Sequence, residues 1–201
     1  TLWKIDSEQD IQYLEQKFLE IGDLYIADGH HRTASSELLF EENKNSENQN
    51  LNYFMSFLIA ESKVKIYPYN RIIRDLNNHT KADFLEKLST FFWIKNKEQE
   101  LWKPTKKFEF GMYLDNNFYS LQLKDINDFE SVLESIDAQI LYQKVLQPLL
   151  GITDLRNDER IDYIAGNQSI NDIKEIVDEG EFEVGFMLFS SDISEIKALA
   201  D

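Results

Sequence analysis

Apolar residues recur along this chain at two periods, and the period changes at turn-forming residues. Ile11, Leu14, Phe18 and Ile21 fall at three- and four-residue spacing, which predicts an amphipathic helix. Ser7 with Asp10 gives that helix a capping-box-like start, and Gly22 stops it. Leu24 to Ala27 is a short unbroken apolar run and predicts a strand central to a sheet. The run breaks at Asp28-Gly29, and a helical pattern through Ala34, Leu38 and Leu39 begins by about His31. Residues 41–50 form a polar, asparagine-rich loop. Leu51 to Ala60 is dense in large apolar and aromatic residues and reads as a strand buried on both faces, although pattern alone does not separate it from a helix. Val64 to Arg74 offers further strand material, interrupted at Pro68.

Downstream, Thr80 caps a helix carrying Phe84, Leu85, Leu88 and Phe91, and His79 falls in the loop before it, distant from His30. Phe108 to Leu114 and Phe118 to Leu123 alternate about Asp115-Asn116-Asn117, which predicts a hairpin. Ser135 starts a helix with Ile136, Ile140, Leu141 and Val145 on one side; Pro148 disturbs its end and Gly151 stops it. Ile161 to Ala165 is a strand leading to a helix capped by Ser169 and Asp172 and ended at Gly180. Phe182 to Phe189 is a last strand, and Ser190-Ser191 opens the final helix. Three strand–turn–helix units and one hairpin predict an α/β (mixed α+β) fold, a buried mixed sheet with flanking helices. The expected organisation is a single domain over 1–201 with a weak boundary near 124–130. Starting on Thr1 and running a helix to Asp201, the chain reads as an excised part of a longer one, so that a site could be incomplete at either end.

Composition narrows the classes. The 201 residues are 42% hydrophobic and 13% aromatic, enough to build a core. No run approaches the roughly 20 apolar residues of a membrane helix, and no leader pattern is visible. With zero cysteines there is no disulfide framework and no cysteine chemistry. A soluble, cytoplasmic protein without membrane contact is the expectation; the oligomeric state is open. The net charge of -16 weighs against nucleic-acid binding, which needs a basic face. A local basic pocket can still hold a small anion, because distant surface charge is screened by salt.

One such pocket is written at Asp28-Gly29-His30-His31-Arg32-Thr33. Two of the three histidines and an arginine stand in the first turn of a predicted helix. A helix start leaves about four N–H groups unpaired and carries roughly half a positive charge. Three cations there oppose the macrodipole and make a poor structural choice, but a good cradle for phosphate or carboxylate. Gly29 allows a tight turn and close approach of a ligand. Each residue also has a plain role to weigh against this one: Asp28 as N-cap, a histidine in the core, Arg32 in solvent. Metal binding is not expected, since adjacent helical residues point about 100° apart. No P-loop, dinucleotide glycine pattern, GxSxG or HExxH is present.

Ile26-Ala27-Asp28-Gly29-His30-His31-Arg32 resembles the signature of an uncharacterised bacterial family, a domain of unknown function with a DGHHR motif followed by a small-residue helix. The resemblance extends to Gln147–Ile152 and Val184–Phe189. The family continues into a Pro-Lys-rich segment absent here, and it carries a His-Arg pair where this chain has Asn70-Arg71. Over Gly22 to Leu39 the motif is also similar to that of the ParB/sulfiredoxin superfamily, which includes free-serine kinases. That resemblance implies a strand–turn–helix holding nucleotide phosphates, with ATP or ADP and magnesium as the cofactors and the aspartate matching Asp28 implicated in catalysis. The acidic charge argues against a ParB-like role on DNA. The expected site then has Asp28 and His31 as catalytic residues, with Gly29, His30, His31, Arg32, Thr33 and Arg71 binding the ligand. Three readings stay open: a phosphotransferase or phosphohydrolase, a non-catalytic metabolite sensor, and a protein-interaction domain.

Overall fold

Local hydrogen-bonding signals set most helix starts. In a computed structural model, which describes residues 3–127 and 129–200, the chain divides into two compact units, 1–59 and 60–201. The break falls at Ile59–Ala60, and the segment 124–130 lies inside the second unit.

The first unit is helical. α1 spans Glu8–Leu19, and the Ser7 side chain accepts from the Asp10 N–H at 3.4 Å. α2 spans His30–Glu42, and a single 3-10 turn follows at Gln49–Asn52. The strand expected at Leu24–Ala27 is not formed, nor is the one expected across Leu51–Ala60. A strand satisfies its backbone N–H and C=O groups against a neighbour. Among the described residues neither run joins a sheet, and apart from Leu51 and Asn52 in the 3-10 turn both are irregular, with Leu24, Ile26, Phe54 and Phe57 exposed. Among the described residues, none before Ala60 is buried.

The second unit is built on a six-stranded sheet in the order β2-β4-β3-β6-β1-β5. Its strands are β1 Tyr69–Ile73, β2 Phe92–Glu98, β3 Glu109–Leu114, β4 Asn117–Leu123, β5 Ile161–Ala165 and β6 Val184–Leu188. The expected strand material before Pro68 is not in the sheet. The fold is mixed α+β, as the pattern predicts, with every pairing antiparallel. The sheet is therefore not the mixed one expected. β5 and β6 do run the same way, joined through α5 (Ile170–Asp178), but β1 is inserted between them and pairs antiparallel with both. The β3–β4 hairpin turns on Asp115 and Asn116, with φ of 47° and 59°, the left-handed pair that a two-residue turn requires.

Helices cover both faces. α3 (Lys81–Phe91) is capped by Thr80, whose hydroxyl accepts from the Asp83 N–H at 3.2 Å. α4 (Asp137–Leu141) runs directly into a π-helical turn, Tyr142–Leu146, which buries the adjacent residues Val145 and Leu146. Phe84, Leu88, Ile140, Leu141 and Val145 pack with Phe110 and Phe186 in the larger core. On the opposite face Ile173 and Val177 of α5 join Tyr113, Phe118 and Met187. Gly185 lets α5 approach: a Cβ there would sit 2.4 Å from Ile173 Cγ2. The capping box at Ser169 is formed, with the Ser169 N–H donating to Asp172 at 3.1 Å. α6 (Ile193–Ala200) starts differently from expectation. Asp192, not Ser190-Ser191, turns its carboxylate to the Ser194 N–H, at 2.9 Å.

Candidate functional site

α2 begins on a bare backbone. Gly29 is its N-cap, at φ 85° and ψ 24°, a left-handed conformation that side chains with a Cβ rarely adopt, and no side chain caps the helix. The first intrahelical bond is from the Thr33 N–H to the Gly29 carbonyl, 2.9 Å. The N–H groups of His30, His31 and Arg32 therefore face out of the helix end, and no acidic residue stands in this first turn. Ser35 and Ser36 turn their hydroxyls back onto their own helix, to the carbonyls of His31 (2.7 Å) and Arg32 (2.9 Å).

Asp28 is not the cap. Its carboxylate faces Arg32 Nη2 at 3.5 Å, in a pair whose side chains are 93% and 82% exposed, a geometry that contributes little stability. Arg32 instead folds back over the turn: a Cβ on Gly29 would lie 3.1 Å from Nη2 and 3.2 Å from Nε. The turn thus brings Asp28, Gly29 and Arg32 together. His30 and His31 follow in the same helical turn, both exposed, and Thr33 is half-buried. The resulting patch combines outward N–H groups, a guanidinium and two imidazoles, with one carboxylate already facing the guanidinium. Such a patch can accept the oxygens of an anion.

Arg71, the remaining expected ligand residue, belongs to the sheet unit. It sits on β1, half-buried, with Nη1 donating to the Tyr69 carbonyl and Cζ 5.4 Å from the centre of the Tyr163 ring. Burial presses its pKa down, and the neighbouring Tyr163 opposes that. His79 lies in a loop, as expected, after Asn77 and Asn78 at φ 53° and 61°. Its Nε2 is 3.1 Å from the Leu149 carbonyl and its Nδ1 is 3.3 Å from Lys87 Nζ.

Sequence reasoning missed Asp137. This carboxyl is 5% exposed at the start of α4 and accepts the Phe108 N–H at 3.0 Å. Burial pushes its pKa up to about 7, against the Phe108 hydrogen bond and the charge of Lys107. Lys107 in turn is bonded to Glu195 of α6 and to Ser135 Oγ at 3.3 Å. Phe108 itself is held at φ 66°, an uncommon conformation for a bulky residue, and its ring stacks on Phe129 at 5.5 Å. The signal available in sequence was an acid immediately ahead of an apolar helical face. Taken alone it marks an ordinary first-turn carboxylate.

A family model described as a protein of unknown function (DUF1015) matches residues 1–139, and the chain belongs to that family. The matched stretch takes in the DGHHR turn and the strands β1 to β4, and ends before Gln147–Ile152 and Val184–Phe189. No curated protein and no solved structure matches the chain. Among the described residues, no helix is long and apolar enough to cross a membrane.

Proposed function

We propose that the turn at Asp28–Thr33 binds the phosphate group of a small anionic ligand, a nucleotide or a phosphorylated metabolite. The observation that carries this reading is the start of α2. A 13-residue helix opens on an uncapped left-handed glycine, has no acid in its first turn, and has its own arginine folded back over that glycine. The amides of His30, His31 and Arg32 and the Arg32 guanidinium hold phosphate oxygens, with both imidazoles beside them. Phosphoryl transfer depends mainly on positioning and charge stabilisation. In the catalytic form of the reading, ATP or ADP arrives with magnesium, Asp28 orients an acceptor hydroxyl or the metal, and His31 serves as acid or base. One observation favours the non-catalytic, sensing form. Asp28 is the carboxylate that touches the turn's arginine, and at 93% exposure water competes for it.

The test is calorimetric binding of ATP, ADP and inorganic phosphate, each with and without magnesium. Arg32→Ala weakens binding by about 1.5–3 kcal/mol, the scale of a charge-assisted hydrogen bond, while changing fold stability by less than about 1 kcal/mol. Asp28→Asn leaves phosphate binding in place and removes any phosphate transfer or hydrolysis. Arg32→Ala binding as tightly as the parent would overturn the reading.

A further inference from the structure

The last helix of the sheet unit is held by charge more than by a core. None of the described side chains of α6 is buried, and Ile196 and Leu199 are exposed. Ion pairs tie it down instead. Lys197 reaches Glu61, in the 3-10 turn Glu61–Lys63, at 3.0 Å, in an exposed pair of the kind that contributes little. Lys107, in the segment before β3, bonds Glu195, whose side chain is only 18% exposed. Less water competes for that second pair, so it is the stronger tether.

The stronger tether runs through a cluster that also contains Asp137. Lys107 donates to Ser135 Oγ at 3.3 Å, just ahead of α4. The Asp137 carboxyl, at the start of α4, accepts the N–H of Phe108, the residue after Lys107, at 3.0 Å. Among the described residues the charged groups that face Asp137 are Lys107, which favours its anion, and Glu195, which opposes it. Two carboxyl groups therefore share one ammonium. With Asp137 protonated the cluster is neutral, and Lys107 belongs to Glu195. With Asp137 ionised, a buried carboxylate stands without a cation of its own, which is strongly unfavourable. The cation that faces it is Lys107. Glu195 can yield that partner at small cost, because its carboxylate already accepts the Asp192 N–H at 3.1 Å at the start of its own helix.

We infer that this cluster is a pH-operated latch on α6. Protonated Asp137 leaves Lys107 to Glu195 and keeps the helix docked. Ionised Asp137 gives its proton to water, draws Lys107 to itself, repels Glu195 and lets the helix go. A helix of eight residues does not persist alone in water, so release is read as melting of Ile193–Ala200. Burial holds the Asp137 proton to about pH 7, which places the release in the neutral range.

The experiment follows two signals by NMR in the intact chain, from about pH 5.5 to about pH 8.5. One is the backbone amide order parameter at Glu195, Ile196 and Lys197; the other is the side-chain carboxyl shift of Asp137. The order parameters should fall from about 0.85 to below about 0.6 as the pH rises, with the same midpoint as the Asp137 titration. Asp137→Asn is neutral at every pH and keeps an oxygen for the Phe108 N–H, so it should hold α6 ordered throughout. An α6 that stays ordered while Asp137 titrates overturns the inference, as does an Asp137 that does not titrate in this range. Both results are read on the parent protein and do not depend on whether the variant folds. An α6 that melts in Asp137→Asn as it does in the parent also overturns it, by assigning the release to another group.

Discussion

In the sheet unit Phe84, Phe110, Phe118 and Phe186 are fully buried, whereas Phe18, Phe54 and Phe57 of the motif unit are 42%, 58% and 87% exposed. The side chain is the same; what differs is the surface available to it. β3 and β6 offer flat, hydrogen-bonded neighbours on which α3, α4 and α5 lay their apolar stripes. The motif unit offers two helices of 12 and 13 residues and no sheet among its described residues. Helices of that length are marginal by themselves in water. The unit that carries the DGHHR turn is therefore held by the Ser7 cap and intrahelical bonds, and the sheet unit by its core.

Paired truncations separate the two units most directly. Phe186→Ala should cost about 3–5 kcal/mol in a urea unfolding curve, the usual cost of emptying a fully buried aromatic site, while Phe18→Ala should cost under about 1 kcal/mol. Equal losses would refute the contrast. The next effect is pH-dependent. Asp137 keeps its proton to about pH 7 in the native state but releases it near its ordinary value of 3.8 when unfolded. Between those pH values the native state binds one more proton, so stability falls as pH rises and levels off above about 7. The total is roughly 2–4 kcal/mol; urea curves at pH 4 to 8 should show it, and Asp137→Asn should abolish this contribution. Smaller still is Gly185→Ala, whose methyl would meet Ile173 at 2.4 Å and should cost about 1–3 kcal/mol in the same unfolding assay. The smallest effects are at the caps. Thr80→Ala should lower the stability of the sheet unit by about 1 kcal/mol, whereas Ser7→Ala should leave its unfolding midpoint in place and speed amide exchange within α1.

Signals that act within a few residues were legible in the sequence. Thr80, Ser7 and Ser169 cap the helices they precede, and Asp115-Asn116 turns the hairpin, because each acts on its own neighbouring backbone. Leu24–Ala27 and Leu51–Ala60 misled for the opposite reason. Their composition suits a buried strand, yet a strand exists only where a partner strand does, and pairing is not local information. β2 is hidden in the sequence although Phe92 and Ile94 alternate with Trp93 and Lys95, since the pattern follows straight on from α3 without a turn residue. At the candidate site, the helix start near His31 and the tight turn at Gly29 were both legible. What was not legible was which residue caps it, because aspartate followed by glycine permits either, and the backbone chose the glycine.

The π-helical turn at Tyr142–Leu146 has a consequence for insertion and deletion. Its wider loop, marked by the Gln147 N–H reaching back to the Tyr142 carbonyl at 3.0 Å, accommodates one residue more than an α-helix would over the same rise. The extra residue is absorbed within the turn, so that Leu149 and Leu150, both buried, still arrive facing the core. Deleting one residue of the turn would let an α-helix close over the same rise and keep that phase, whereas an α-helix holding every residue would carry the two leucines about 100° around the axis. The turn therefore takes up a one-residue change in chain length that the core would otherwise feel, while the buried Val145 and Leu146 restrict which side chains it can carry.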